Sequence, residues 1–132
     1  MANPETNPKT SSVEDAISKE FGRIHADSYG IGAREIQTIF RGDFVFVIMD
    51  IELLKAEQVV MDTGRGELVK GMRGQFQKAI ESTFSAAVER STGRRVIAFL
   101  SDTHLDPSFS VETFRLGPPV DETQGPADPY EG

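Results

Sequence analysis

The segment FRGDFVFVIM, residues 40–49, decides the fold because it predicts a β-hairpin whose second strand is unusually apolar. Before the turn, the side chains of residues 36–40 alternate with the two-residue period of a strand. Gly42 then stands where a tight type II′ turn needs a positive φ. Six apolar residues follow from 44 to 49, so both faces of this strand need cover and we predict that it lies inside a sheet.

Helical and strand-like periodicities on both sides of the hairpin predict the rest of the fold. In chain order we expect a helix over 11–27, strands 36–40 and 44–49, helices over 52–62 and 68–92, and a second hairpin of strands 95–101 and 109–116. This pattern indicates a single α+β domain in the order α-ββ-αα-ββ, with a mostly antiparallel four-stranded sheet packed on helices.

The longest helix is predicted to supply much of the core. Its apolar side chains recur at helical spacing over more than five turns, at Leu68, Met72, Phe76, Ala79, Ile80, Phe84, Ala87 and Val88. Gly93 is the expected C′ residue that ends the helix.

The two ends of the chain are predicted to be disordered. Residues 1–10 are polar with two prolines, and residues 117–132 are rich in proline and glycine, so neither segment can bury a core. The second segment carries four acidic and no basic residues, which is −4 of the net charge of −7. The folded domain, residues 11–116, is therefore close to neutral, which disfavours nucleic acid as a partner.

Composition excludes several classes of function. The chain has 132 residues and no cysteine, which rules out disulfides, thiolate catalysis and cysteine-ligated metals. No apolar run approaches the roughly 20 residues of a membrane helix, and the first ten residues do not resemble a signal peptide. We expect a cytoplasmic protein that does not insert into the membrane and is peripheral to it at most, through a partner.

Several short motifs occur in the order seen in the MpsC-like family, which the chain resembles. They are residues 30–33 (GIGA), 53–57 (LLKAE), 66–70 (GELVK) followed by Arg73, 92–93 (TG) and 101–102 (SD). The chain departs from the family pattern at Ala33, where proline is expected, and at Leu54, where a threonine could cap the helix.

The resemblance covers about residues 13–116. The family is named for a sodium-translocating, membrane-potential-generating system, so the resemblance implies a link to membrane components of ion or inorganic-carbon uptake. It brings no catalytic residues to carry over.

One segment offers candidate metal ligands. Asp102, His104 and Asp106 are two residues apart, so an extended chain would place all three on one face, as a metal site or an acid/base pair needs. The other histidine, His25, belongs to the first predicted helix, and the segment 106–108 (DPS) is typical of turns. We favour a turn over residues 102–108, with no metal and no cofactor.

The glycine-rich segment before the longest helix is the candidate binding site. The sequence TGRGELVKG, residues 63–71, lacks the Gly-Lys-Ser/Thr ending of a phosphate loop and follows a helix instead of a strand. Gly64 and Gly66 can still expose backbone N–H groups at the helix N-terminus, with Arg65 beside them, and bind a small anion. No nucleophile elbow or other catalytic motif is found, so we predict no catalytic residues and no enzymatic activity.

Two functions from different classes remain open. The first is a non-enzymatic small cytoplasmic subunit or adaptor, associated with a membrane ion or inorganic-carbon transport system and in contact with a membrane transport protein. The second is a sensor that binds a small anion at residues 64–66. In either case we expect a homodimer, because strand 44–49 needs cover on both faces, and we predict that Val47 and Val60 lie at the subunit contact.

Overall fold

The computed structural model describes residues 8–119, which form three helices and one four-stranded antiparallel sheet. In chain order the elements are α1 (Pro8–Tyr29), β1 (Glu35–Arg41), β2 (Phe44–Asp50), α2 (Lys55–Asp62), α3 (Gly66–Thr92), β3 (Arg94–Leu105) and β4 (Ser108–Pro119). The predicted α+β class and element order are confirmed. Disorder was predicted for residues 1–10 and 117–132; of these, residues 1–7 and 120–132 lie outside the described residues.

The strand order is β1-β2-β4-β3, so β2 is an inner strand, as its apolar sequence predicts. Gly42 has a φ of 58° in the turn between β1 and β2, and no non-glycine residue from 8 to 119 has a positive φ. A positive φ at the first turn residue alone is the pattern of a type II′ turn. Across the sheet, Thr38 pairs with Val47, and Val47 pairs with Glu112. These side chains therefore share one face.

The core lies between that face of the sheet and helices α1 and α3. Phe21 stacks on Phe84 with 4.3 Å between ring centroids and meets Phe114 edge-on at 5.7 Å. The buried apolar residues around these rings are Ile17, Ile24, Val45, Val47, Met49, Ile51, Ala87, Val88, Val96 and Leu116. Because α1 and α3 contact each other as well as the sheet, both helices cover the same face.

The opposite side of the sheet, which we call the outer face, points away from α1 and α3. Strand pairing and alternation place there Glu35, Gln37, Ile39, Arg41, Phe44, Phe46, Ile48, Asp50, Ala98, Leu100, Asp102, His104, Phe109, Val111, Thr113 and Arg115. Val47 points to the core and is 0% exposed, so the prediction that it lies at a subunit contact is wrong. The two alternate sets of β2 are equally apolar, and the sequence does not show which set the helices cover.

α1 extends beyond its predicted bounds at both ends and begins at Pro8. Proline suits the first turn of a helix, because its φ is fixed near the helical value and its missing N–H would have no partner there. The helix therefore includes residues 8–10, which the sequence assigned to the preceding segment.

The second half of α3 matches the predicted apolar stripe. Phe84, Ala87 and Val88 are buried in the core. Gly93 ends the helix in the left-handed conformation with a φ of 69°, and its N–H donates to the carbonyl of Glu89. The predicted C′ glycine is confirmed.

The first half of α3 does not follow the predicted stripe. Leu68 and Met72 are 52% and 63% exposed, whereas Val69, Arg73 and Gln77 are buried. The buried face is thus displaced by one residue along the chain. Periodicity treats arginine and glutamine as surface residues, but here their polar groups have partners inside the protein.

Strands β3 and β4 are longer than predicted, and two residues, 106 and 107, separate them. The predicted connection over residues 102–108 is therefore wrong, since Asp102 pairs with Val111 and His104 pairs with Phe109. β3 lies at the edge of the sheet, where polar side chains on the outer face remain in solvent and a polar sequence is compatible with a strand. β4 also continues through residues 117–119, which the sequence assigned to the tail.

Candidate functional site

A cleft of about 450 Å³ opens between the end of α1, α2 and the first half of α3. Its lining is mainly apolar and consists of Leu54, Ala56, Val60, Leu68, Val69, Met72 and Phe76, with Ser28, Tyr29, Glu57 and Arg73. A concave apolar surface with a few polar groups is the usual form of a binding site. Val60, predicted at a subunit contact, lines this cleft.

The cleft contains a buried ion pair. Arg73 donates from Nε to Oε2 of Glu57 and from Nη2 to Oε1, both at 2.7 Å. Burial by itself raises the pKa of Glu57, but the hydrogen bonds from Arg73 and from the Leu54 N–H outweigh it and hold the pKa below its usual value. Both partners are therefore charged and neutralise each other.

The start of α2 positions Glu57. Its Oε1 accepts the backbone N–H of Leu54 at 2.8 Å, which is the glutamate half of a capping box. Leu54 has no side-chain oxygen to complete the box. Glu57 therefore holds the first turn of α2 and, through Arg73, ties α2 to α3.

Two aromatic rings lie beside the ion pair in the cleft. The guanidinium of Arg73 lies 4.6 Å from the centroid of the Tyr29 ring, which lies 4.5 Å from the ring of Phe76. Nε2 of Gln77 donates to the Tyr29 hydroxyl at 3.2 Å. Burial raises the pKa of Tyr29 to about 12, so the phenol stays neutral at physiological pH.

His25 is buried beside Tyr29, with 4.6 Å between the two ring centroids. Its Nδ1 lies 2.9 Å from the carbonyl oxygen of Ile31, which assigns the proton to Nδ1 in the neutral ring. Burial lowers the pKa of His25, which favours this neutral form. Nε2 has no hydrogen-bond partner among residues 8–119.

Glu112 is a second buried carboxyl group, on the core face of β4. It lies opposite Val47 on β2 and Ser101 on β3, and it is 0% exposed. Burial raises its pKa to about 7. In the described part of the chain neither carboxyl oxygen has a hydrogen-bond partner. Glu112 therefore binds a proton in the neutral pH range.

The cleft is suited to binding an apolar group. Both oxygens of Glu57 are engaged by Arg73 or Leu54, and Arg73 is held between Glu57 and the ring of Tyr29. Neither charged group is therefore available to bind a ligand in the cleft. What the cleft offers is apolar surface, including the exposed side chains of Leu68 and Met72.

The three candidate metal ligands are not brought together into one cluster. Oδ1 of Asp102 lies 3.6 Å from Nζ of Lys70, and Nδ1 of His104 lies 2.8 Å from the carbonyl oxygen of Pro107. Asp106 is in the turn between the strands. Residues 8–119 contain no group of three or more His, Cys, Asp or Glu side chains that could hold a metal ion.

The predicted anion-binding segment, residues 64–66, comprises the turn before α3 and the first residue of that helix. Gly64 has a φ of 81° and donates its N–H to the carbonyl of Met61 at 2.9 Å, and Arg65 is exposed. A Cβ on Gly66 would lie 3.2 Å from Sδ of Met61, so this glycine packs closely against α2. Anion binding at residues 64–66 stays a prediction.

The burial of these charged residues is not evident from the sequence. A signal exists for the first pair, since Glu57 stands at a capping-box position and Arg73 follows Val69 by one helical turn. A weaker signal marks Glu112, which shares its strand parity with Phe114. In each case a charged side chain is expected at the surface. The contacts that bury it come from residues distant in the sequence.

Comparison with known families identifies one match. The model of a family described as the Na+-translocating membrane potential-generating system (MpsC) matches residues 9–117. No curated protein and no solved structure matches the chain. Among the described helices, none combines the length and the apolar character needed to cross a membrane. The matched range contains the cleft and both buried carboxyl groups.

Proposed function

The chain belongs to the MpsC family, and on that premise we propose that it is a non-enzymatic subunit or adaptor of a membrane ion or inorganic-carbon transport system. The family description links it to a Na+-translocating, membrane-potential-generating system. In this proposal the protein is cytoplasmic and peripheral, and it acts on transport by binding another protein of the system.

The exposed apolar rim of the cleft carries the proposal. Leu68 and Met72 are one turn apart on α3, and Phe76 continues the row one turn further. Contiguous apolar side chains exposed to water are typical of a protein interaction site. Side chains spaced by four residues form a ridge against which a second helix packs. The proposed occupant is an amphipathic helix of the transport system, laid along α3.

The buried ion pair fits this role. Since Glu57 and Arg73 tie α2 to α3, the two walls of the cleft are held at a fixed spacing. Their mutual neutralisation also leaves no unpaired charge to oppose an apolar helix. Met72 adds a flexible side chain that adapts to the shape of its partner.

A charge placed at the rim tests the proposal. Met72→Asp should abolish binding of the membrane partner that the wild-type chain retains, because the interface would have to bury a carboxylate. Gln75→Asp is the matched control, since Gln75 is also exposed on α3 but does not line the cleft. Binding is measured by cross-linking in the native membrane fraction, with the partner identified by mass spectrometry.

Two outcomes would contradict the adaptor role. One is a partner that Met72→Asp binds as well as the wild type does. The other is a rim-dependent partner that is not a component of an ion or inorganic-carbon transport system. Thermal unfolding of both variants shows whether the fold is intact.

A further inference from the structure

The outer face of the sheet has an apolar centre. Ile39, Phe46, Ile48 and Val111 lie in its two middle rows, and the strand pairing sets them side by side across β1, β2 and β4. Leu100 extends this centre onto β3, where it is 71% exposed. The helices that bury the other face lie on the far side of the sheet. The apolar centre is therefore a surface that a partner can cover.

The two ends of the outer face carry opposite charges. Glu35 and Asp50 occupy opposite positions on β1 and β2 at one end of the face. Arg41 and Arg115 flank Phe44 at the other end, where the guanidinium of Arg115 lies 4.9 Å from the centroid of the Phe44 ring. Asp43 in the adjoining turn lies 2.7 Å from Arg94 and 3.8 Å from Arg115, so the arginines outnumber the carboxylate at this end. The face is thus acidic at one end, apolar in the middle and basic at the other end.

We propose that the outer face binds a second copy of this chain, with the strands of the two facing sheets antiparallel. A twofold axis that crosses the strands at mid-length places each strand over its own counterpart in the reverse direction. The acidic end of one copy then faces the basic end of the other, so that Glu35 approaches Arg41 of the second copy. A twofold axis parallel to the strands would bring like charges together, which is unfavourable.

The size of the face sets the expected affinity. Four strands about 4.8 Å apart, with seven residues rising about 3.3 Å each, span roughly 19 by 23 Å. The area of this face is smaller than the about 800 Å² that a stable interface typically buries on each partner. The proposed interface therefore belongs to the smallest class. We therefore expect a dimer that dissociates on dilution. The inference does not depend on the adaptor role, because the cleft lies among the helices on the other side of the sheet.

The oligomeric state of the full chain tests the inference. Light scattering from about 1 µM to about 500 µM should show a mass that rises from 14.5 kDa towards twice that value. Leu100→Glu should keep the mass at that of the monomer without altering thermal unfolding, because Leu100 is exposed at an edge strand. Ile48→Glu should have the same effect from the centre of the face. Gln75→Glu, on α3, should dimerise like the wild type.

Charge exchange along β1 tests the orientation. Glu35→Arg and Arg41→Glu should each raise the dissociation constant about tenfold, because each sets like charges against each other in the antiparallel dimer. The double variant should restore the wild-type value. An Arg41→Glu or Glu35→Arg dimer tighter than the wild type would overturn the orientation. A mass of 14.5 kDa throughout, or a dimer unaffected by both Leu100→Glu and Ile48→Glu, would overturn the interface.

Discussion

Arg73 and Glu57 are joined by two hydrogen bonds of 2.7 Å, while their side chains are only 3% and 8% exposed. A buried ion pair of this geometry adds little net stability over an apolar pair of the same volume, but removal of one partner leaves the other charge buried without compensation. Because the pKa of Glu57 is lowered in the folded protein, its contribution is present above the unfolded pKa of 4.5 and is lost as the pH falls through the folded value.

Glu57→Gln or Arg73→Met alone should therefore lower the free energy of unfolding by about 3–5 kcal/mol. The double variant should cost clearly less than the sum of the two, because neither charge is left unpaired. Urea unfolding of the four proteins gives the coupling free energy. Glu20→Gln is the control: Glu20 pairs with the exposed side chains of Arg23 and Arg90, where water screens the charges, so its loss should cost much less than either single variant of the buried pair. Single variants that cost no more than the control would contradict the buried pair.

Glu112 should make stability fall as the pH rises. Its pKa is 4.5 when unfolded and about 7 when folded, so the folded state binds a proton that the unfolded state has lost between these pH values. Glu112→Gln removes this dependence. It should match the wild type near pH 4.5 and exceed its free energy of unfolding by up to about 3 kcal/mol well above pH 7.

Urea unfolding of the wild type and Glu112→Gln across this pH range gives the difference directly. Glu67→Gln, on the exposed face of α3, removes one carboxylate without removing a buried one and is the matched control. A difference that shrinks as the pH rises, or one that Glu67→Gln reproduces, would show that Glu112 does not titrate inside the core.

Small anions distinguish the adaptor from the alternative sensor at residues 64–66. The adaptor role predicts that phosphate, sulfate and bicarbonate change the melting temperature of the wild type and of Arg65→Ala by the same amount. A ligand bound specifically at one hundred times its dissociation constant would add about 2.7 kcal/mol to the free energy of unfolding. A saturable increase in the wild type that Arg65→Ala lacks would favour the sensor.

Truncation separates the tail from the end of β4. Removal of residues 120–132, a proline- and glycine-rich acidic segment, should change the free energy of unfolding by less than about 1 kcal/mol. Removal from residue 117 onwards should cost more, because Nε of Arg94 donates to the carbonyl of Gly117 at 2.9 Å and Gly117 is buried against Ile97. Chemical unfolding of the two truncated chains measures both values. Equal losses would show that residues 117–119 contribute nothing.

Local patterns predicted the elements and their order. The turn at Gly42, the apolar run of β2 and the C′ glycine of α3 depend on residues close together in the chain, and each is found where its pattern placed it. The lengths of α1, β3 and β4 were underestimated, since polar residues at the ends of these elements are compatible with helix or strand but do not indicate either.

The sequence by itself determined the α+β class, the element order and the inner position of β2, because these follow from short-range periodicity and turn chemistry. The tertiary structure alone decided which face of β2 the helices cover, and that Arg73, Glu57 and Glu112 are buried. Both outcomes depend on contacts between residues far apart in the chain. From the sequence, a charged side chain is expected at the surface. Arg73 is buried because its partner Glu57, sixteen residues away, neutralises its charge.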